Sequence, residues 1–147
     1  MNNLDKKIEI LVVDDNRNDS RLIEIYFDDE RMIPHNLNIV NNGLEAMKLL
    51  ERKDKYHDYP KPDIILLDLY MPLMDGREVL KSIRSNDNYK NIVVCIMTSS
   101  LSEANDLNLE AIPATFYILK PVDVDKFLEL IDKAITYLPD EWQSILS

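Results

Sequence analysis

Four residues able to do chemistry stand where apolar runs of this sequence end. Asp14 and Asp15 follow one such run, Asp68 follows a second, and Lys120 follows a third. Crowded carboxylates repel one another, so they must take up protons or bind a cation. Carboxylate oxygens suit Mg²⁺, which keeps several waters and completes its shell with phosphate oxygens. Three acids and a lysine at the ends of these runs therefore predict a phosphoryl-transfer pocket.

A fifth residue, Thr98, completes the chemistry that such a pocket requires. Asp68 could act as the nucleophile, and a bound cation would screen its charge from an incoming phosphoryl anion. The hydroxyl of Thr98, at the end of a fourth apolar run, can donate a hydrogen bond to a phosphoryl oxygen. Lys120 supplies a compact positive charge. The set provides a nucleophile, metal ligands, a hydrogen-bond donor and a counter-charge.

Alternating apolar runs and helical patterns predict the elements that position these residues. Short apolar runs predict five strands, at residues 8–13, 37–40, 64–67, 92–97 and 115–119. Periodic segments predict five helices, at 18–31, after Gly43, from Asp75, at 101–109 and at 124–138. This alternation is typical of a parallel sheet with helices on both faces, where ligands bind beyond the carboxyl ends of the strands. We therefore expect the candidate residues at one edge of the sheet.

The helical patterns also predict which side chains face the core. The residues expected to face inward are Leu22, Ile25, Tyr26 and Phe27 in the first helix, Leu44, Met47 and Leu50 in the second, Val79, Leu80 and Ile83 in the third, Ala104 and Leu107 in the fourth, and Val124, Phe127, Leu128, Ile131, Ile135 and Leu138 in the fifth. Asp75 is expected to cap the third helix, and Ser100 with Glu103 the fourth. Residues 51–62 are expected to form a long polar loop. The second strand is the most polar, so we expect it at an edge of the sheet.

The composition excludes several classes of function. At 147 residues the chain fits one domain, and its net charge of -10 argues against binding to nucleic acid or anionic lipid. Its two glycines, Gly43 and Gly76, are too few for the glycine-rich motifs that bind nucleotides. No apolar run approaches the roughly 20 residues that cross a bilayer, and the N-terminus does not resemble a signal peptide. A single cysteine, Cys95, favours the cytoplasm, and His35 and His57 are expected to be solvated.

These residues and their surroundings resemble the receiver domain of the bacterial two-component response regulators. The resemblance covers residues 8–138 and is carried by Asp14 and Asp15, the string LLDLYMPLMDG at 66–76, Thr98 and Ser99, and Tyr117 three residues before Lys120 and Pro121. It implies a CheY-like, flavodoxin-like α/β fold. This is a three-layer sandwich with a doubly wound, five-stranded parallel sheet of order 2-1-3-4-5 and five helices.

The resemblance also implies how the acidic residues work. Asp68 would accept a phosphoryl group from a phosphohistidine on a sensor histidine kinase. Asp14, Asp15 and Asp68, with the backbone carbonyl of Tyr70, would hold Mg²⁺ or Mn²⁺. The protein would assist its own phosphorylation and dephosphorylation, and would be a signalling switch without enzymatic turnover.

The remaining residues of the resemblance imply a response to the phosphoryl group. Thr98 and Lys120 would contact that group, and the peptide bond between Lys120 and Pro121 would be cis. A shift of Thr98 would let Tyr117 turn inward, changing the face formed by the fourth helix, fifth strand and fifth helix. This would be a two-state switch biased by a local charge.

The size of the chain and its 51–62 loop resemble a narrower group, the stand-alone regulators that partner bacterial phytochrome-type kinases. We accordingly expect a receiver domain at residues 1–138, a C-terminal extension at 139–147 and no output domain. Output would pass to a downstream protein or through a homodimer. One departure is the turn at 110–114, where the family often has glycine and this chain has Ala111, Ile112 and Pro113.

Two other functions would use the same residues. One is an adaptor that keeps the fold and works without phosphorylation. The other is a haloacid-dehalogenase-like phosphatase, which also forms an aspartyl-phosphate with magnesium and a lysine. Such phosphatases need a second acid two residues after the nucleophile, and this chain has Tyr70 there. The sequence favours the phosphorylation-controlled switch over both.

Overall fold

Five parallel strands form one sheet in a computed structural model that describes residues 7–71 and 73–139. The strands are Ile8–Val13 (β1), His35–Val40 (β2), Ile64–Asp68 (β3), Val93–Thr98 (β4) and Thr115–Leu119 (β5). Their order is β2-β1-β3-β4-β5, with every neighbouring pair parallel. The predicted α/β fold and strand order are confirmed, and β2 is an edge strand as predicted.

Five α-helices cover the two faces of the sheet. They are Arg17–Phe27 (α1), Gly43–Leu50 (α2), Gly76–Arg84 (α3), Leu101–Asp106 (α4) and Val124–Ile135 (α5). Buried side chains of α2, α3 and α4 join one core cluster, and those of α1 and α5 join the other. The central strands β1, β3 and β4 contribute to both clusters, which explains why their sequences are almost entirely apolar.

The inward face of α1 differs from the prediction. The helix ends at Phe27 rather than near residue 31. Phe27 is buried and Tyr26 partly buried, as predicted, but Ile23 is buried in place of Leu22 and Ile25, which are 36% and 50% exposed. Residues 22–27 are almost all apolar, so their spacing does not determine which side chains face the core. On the buried face, Phe27 makes an edge-to-face contact with Phe127, with 5.2 Å between the ring centroids.

The start of α2 also differs from the prediction, because Leu44 is exposed while Ala46 and Leu49 are buried. Gly43 lies so close to the loop before α3 that a Cβ on it would be 2.1 Å from the carbonyl oxygen of Met74. This contact turns the Gly43 side of the helix inward and leaves Leu44 in solvent. The fourth helix ends at Asp106, earlier than predicted, and Asn108 then adopts a left-handed φ of 52°.

The predicted polar loop at residues 51–62 is partly ordered. It contains a 3-10 helix at Asp54–Tyr56 and doubles back along α2. Tyr56 is buried, and its hydroxyl donates a hydrogen bond of 2.6 Å to Glu45 Oε2. Arg52 and Asp54 adopt positive φ values of 56° and 53° at the reversal, a conformation rare for residues other than glycine.

The prediction for His35 is wrong, and that for the C-terminal extension stays a prediction. His35, predicted to lie solvated in a polar segment, is the first residue of β2, partly buried with its ring 4.9 Å from that of Phe27. The C-terminal extension, apart from Pro139, lies outside the described residues. No helix within 7–71 and 73–139 is long and apolar enough to cross a membrane.

Candidate functional site

Four consecutive strands of the sheet deliver their terminal polar residues to one edge. Asp14 directly follows β1, Asp68 ends β3, Thr98 ends β4 and Lys120 directly follows β5. The strand order places these strands side by side, and their parallel direction puts all four residues at the carboxyl edge. This is the edge at which open α/β sheets bind ligands.

The acids form a cluster of suitable geometry for a cation. One carboxylate oxygen from each of Asp14, Asp15 and Asp68 lies within 4.8 Å of the others. Asp14 and Asp68 are buried, whereas Asp15 is exposed. A few carboxylate oxygens beside an opening to solvent suit Mg²⁺ or Mn²⁺, which completes an octahedral shell with waters. The residues present therefore fit a hard divalent cation.

The surroundings of Asp68 disfavour its charged form. Its pKa is raised to about 7, first by burial and then by the neighbouring Asp14 and Asp15, against the lowering effect of the positive charge on Lys120. Lys120 alone does not offset burial and repulsion. An added cation would favour the carboxylate and keep Asp68 ionised at neutral pH.

Lys120 reaches across the cluster from the end of β5. Its Nζ lies 3.3 Å from Asp14 Oδ2 and 3.6 Å from Asp68 Oδ2. A third carboxylate, Asp19 in the first turn of α1, is nearer, at 2.8 Å. Burial disfavours the charge on Lys120, but the bond to Asp19 and the charges of Asp14 and Asp68 outweigh it and raise its pKa. The lysine is therefore a cation.

Sequence reasoning placed Asp19 only near the start of a helix and missed its place in the site. A signal was available, because Asp19 lies four residues after Asp15, within the first turn of α1 at the carboxyl edge of the sheet. The side chain of Asn16 caps this helix and accepts from the backbone N–H of Asp19. The start of α1 is thereby fixed beside Lys120.

Thr98 and Lys120 are linked through the backbone as well as by position. The backbone N–H of Lys120 donates to the carbonyl oxygen of Thr98 at 2.8 Å. Thr98 is buried, and its Oγ1 accepts from the backbone N–H of Ser100, the residue that caps α4. The peptide bond between Lys120 and Pro121 is cis. A movement of Thr98 would therefore act directly on the start of α4.

The loop that follows Asp68 is held close to the strand. A Cβ on Gly76 would be 2.3 Å from the backbone carbonyl oxygen of Asp68, so glycine is required at this close approach. Asp75 caps α3, as predicted, by accepting from the backbone N–H groups of Arg77 and Glu78. Tyr70 donates its backbone N–H to Asp68 Oδ1 at 3.3 Å, and its side chain is largely exposed.

Tyr117 lies on β5 at the edge of the sheet, with 36% of its surface exposed. It borders an open groove of about 820 Å³ between β5 and α5. Leu119 and Tyr137 also line this groove and are exposed apolar side chains. The predicted switch residue is thus at a surface that a protein could contact.

Comparison with known proteins gives consistent results. Residues 10–132 match the family model described as the response regulator receiver domain. The chain is 34% identical over 122 residues to the response regulator Rcp1 of Synechocystis sp., covering 83% of this chain and 82% of Rcp1. It is similar to the phosphorylated cyanobacterial phytochrome response regulator RcpA, with 30% identity, a TM-score of 0.75 and coverage of 97% and 98% of the two chains. It is also similar to the Mn²⁺-bound form of Rcp1, with 33% identity, a TM-score of 0.73 and coverage of 86% and 90%.

Proposed function

This chain belongs to the response regulator receiver domain family, and from that premise we propose that it is a signalling switch controlled by phosphorylation of Asp68. It is a response regulator of the Rcp1 and CheY type. The observation that carries the proposal is the convergence of Asp14, Asp15, Asp68 and Lys120 at one edge of the sheet. These are the groups that phosphoryl transfer to a carboxylate needs.

The proposed reaction moves a phosphoryl group from a phosphohistidine to Asp68. A carboxylate oxygen of Asp68 forms the new P–O bond while the P–N bond breaks, and the imidazole nitrogen keeps the electron pair and takes up a proton. Lys120 offers its ammonium group to a phosphoryl oxygen, and the hydroxyl of Thr98 donates to another. Burial of Asp68 limits the access of water to the product.

The proposed cofactor is Mg²⁺, with Mn²⁺ as a substitute. Asp14, Asp15 and Asp68 would hold it together with the backbone carbonyl of Tyr70. When bound, it supplies positive charge that offsets the repulsion between the acids and the phosphoryl anion. The raised pKa of Asp68 supports this role, since burial and the neighbouring acids disfavour a charge that a cation would stabilise. The Mn²⁺-bound form of the similar protein Rcp1 gives independent support.

The proposed output is a change in the face formed by α4, β5 and α5. The bond from Ser100 to Thr98 ties the phosphoryl site to the start of α4, and Tyr117 lies on the same face. A shift of Thr98 would free space into which Tyr117 could turn. The altered face would then bind a downstream protein or a second copy of the chain.

The proposed donor is a phytochrome-type sensor histidine kinase acting in the cytoplasm. Support comes from the similarity over nearly the whole of both chains to RcpA, a phytochrome response regulator whose structure is of the phosphorylated form. We propose no enzymatic turnover for the chain, because Tyr70 occupies the position where a haloacid-dehalogenase-like phosphatase needs its second acid.

Intact mass after incubation with acetyl phosphate and Mg²⁺ tests the proposal. We expect one added phosphoryl group on the parent protein, none on Asp68→Asn, and none when the divalent cation is chelated. Asp58→Asn is the matched control, because Asp58 is an exposed loop carboxylate, and it should be modified like the parent. An unmodified parent would favour the adaptor, and sustained hydrolysis of small phosphate esters would favour the phosphatase.

A further inference from the structure

We propose that Asp19 is a positioning residue that holds Lys120 away from the phosphoryl group and so limits how tightly the site retains it. The inference rests on the proposed function of Asp68. Its basis is the ranking of three distances from Lys120 Nζ: 2.8 Å to Asp19, 3.3 Å to Asp14 and 3.6 Å to Asp68. The shortest contact of the lysine is to an acid outside the metal-binding cluster.

The hydrogen bonds of Lys120 create the competition. An ammonium group has three N–H donors, and two of them bond to Asp19 at 2.8 Å and Asp14 at 3.3 Å, whereas Asp68 at 3.6 Å is an ion-pair contact only. A closer approach of the ammonium group to a phosphoryl group on Asp68 would lengthen the bond to Asp19, which is the shortest contact of the lysine. Asp19 and the phosphoryl group therefore compete for the position of Lys120.

A bound cation would not remove the attraction of Asp19 for Lys120. Asp14, Asp15 and Asp68 form the cluster that fits a divalent cation, and Asp19 is not part of it. Positive charge held by the cluster would weaken the attraction of Asp14 and Asp68 for Lys120. The attraction of Asp19 would remain, because its carboxylate lies on α1 at the side of the lysine.

Asp19 is also held in place rather than swinging freely. Its backbone N–H donates to the Asn16 side chain at 3.1 Å, and the Asn16 backbone N–H donates to Asp14 Oδ1 at 2.9 Å. The start of α1 is thus anchored to the acid cluster. The carboxylate of Asp19 is only partly exposed, and Lys120 is mostly buried. Their pairing is therefore less screened by solvent than a surface ion pair.

Two effects of replacing Asp19 act in the same direction. Asp19→Asn removes the strongest competitor for the Lys120 ammonium, which can then move toward Asp68. It also removes one negative charge from the surroundings of an anionic phosphoryl group. The side chain keeps its size, and Asn16, the cap of α1, is unchanged. We expect the variant to bind a phosphoryl mimic more tightly than the parent.

Binding of beryllofluoride in the presence of Mg²⁺, measured by isothermal titration calorimetry, tests the inference. The expected Kd of Asp19→Asn is about three- to tenfold lower than that of the parent, the size of a charge-assisted pair. Glu24→Gln is the matched control, since Glu24 is an acid of α1 that pairs with Arg21 at 3.1 Å instead. It should bind like the parent, and Asp19→Glu should restore the weaker binding.

A second measurement shows whether Asp19 acts through the lysine. In a Lys120→Gln background, adding Asp19→Asn should lower the Kd for beryllofluoride by much less than it does in the parent, because only the removal of one negative charge remains. A decrease in Kd as large as in the parent would assign the whole effect to direct repulsion and overturn the positioning role. Equal or weaker binding by Asp19→Asn alone would also overturn it. A parent protein that binds no beryllofluoride would instead refute the function proposed for Asp68.

Discussion

Each end of the sheet holds a partly buried cation, and the two cations have different kinds of partner. At the carboxyl end, Lys120 lies among carboxylates. At the amino end, Arg84 of α3 bonds to neutral acceptors. Its Nε donates to Thr115 Oγ1 at 3.0 Å and its Nη2 to the Ala114 carbonyl oxygen at 2.8 Å. Burial lowers the pKa of Arg84, whereas the pKa of Lys120 is raised by its partners.

The difference separates a structural clamp, Arg84 with its neutral acceptors, from a switch, Lys120 with its carboxylate partners. The acceptors of Arg84 are a hydroxyl and carbonyl oxygens held by the fold, so none of them gains or loses charge. The partners of Lys120 compete for it, and the charge of one of them, Asp68, would change on phosphorylation. A cation with fixed neutral partners stabilises one structure. A cation shared by several acids can be redistributed by a small chemical change.

Removing the clamp should have the largest effect on stability and none on chemistry. Arg84→Met deletes the charge-assisted hydrogen bonds to Thr115 and Ala114 at the start of β5, although Ala114 still accepts from the backbone N–H of Val94 and Thr115 still donates to Pro113. We expect a loss of about 2 to 3 kcal/mol in the free energy of unfolding, measured by urea denaturation. Arg21→Met, which removes an exposed arginine, should change it by less than about 0.5 kcal/mol.

Phosphorylation provides the check on this assignment. Folded Arg84→Met should take up the phosphoryl group of acetyl phosphate to the same extent as the parent, because the clamp lies at the opposite end of the sheet. If the variant folds but is not modified, the two ends are coupled and the division between clamp and switch is wrong.

Removing a charge from the switch should have the opposite sign. Asp68→Asn removes a carboxylate whose charge is disfavoured first by burial and then by Asp14 and Asp15, and we expect the free energy of unfolding without divalent cations to rise by about 1 to 3 kcal/mol at pH 8. The gain stays below the full cost of the buried charge because Lys120 loses one partner. Mg²⁺ should then stabilise the parent more than the variant, since the variant lacks one ligand.

The pH dependence of this gain follows from the raised pKa of Asp68. Its pKa is about 7 in the folded protein, against 3.8 for an aspartate in an unfolded chain. Between these pH values the folded state binds a proton on Asp68 that the unfolded chain does not. The contribution of Asp68 to the free energy of unfolding is therefore greatest below pH 3.8 and is lost as the pH rises through 7. The advantage of Asp68→Asn should vanish near about pH 4 and level off above about pH 7. A constant difference from about pH 5 to 8 would contradict the assigned cause.

The sequence predicts the switch end better than the clamp end for a physical reason. The ends of apolar runs locate Asp14, Asp68, Thr98 and Lys120, because parallel strands bring their carboxyl ends to one edge. The role of Arg84 depends on tertiary contacts with residues about 30 positions away. No local pattern distinguishes it from an ordinary arginine near the end of a helix.

Other features escaped prediction because local sequence leaves them undetermined. The inward face of α1 depends on packing against α5, since residues 22–27 are almost uniformly apolar. The reversal at 51–62 uses positive φ angles at Arg52 and Asp54, a conformation uncommon for residues other than glycine and unexpected above all for arginine. In both cases tertiary packing selects among local possibilities. Asp19 is different, because its position in the first turn of α1, four residues after Asp15, was available from the sequence.

The smallest expected effect lies next to the clamp, at Ala114, whose φ of 53° is in the left-handed region. Ala114→Gly removes the Cβ that makes this conformation costly but increases the freedom of the unfolded chain, so we expect a net gain of about 0.3 to 1 kcal/mol in unfolding free energy. The bond from Arg84 goes to a backbone carbonyl and is kept. Ala111→Gly, in the 3-10 helix Leu109–Ala111, lacks the strain and should lose stability instead. If both variants lose stability, the left-handed turn stores no strain, and Arg84 clamps a conformation that Ala114 adopts without cost.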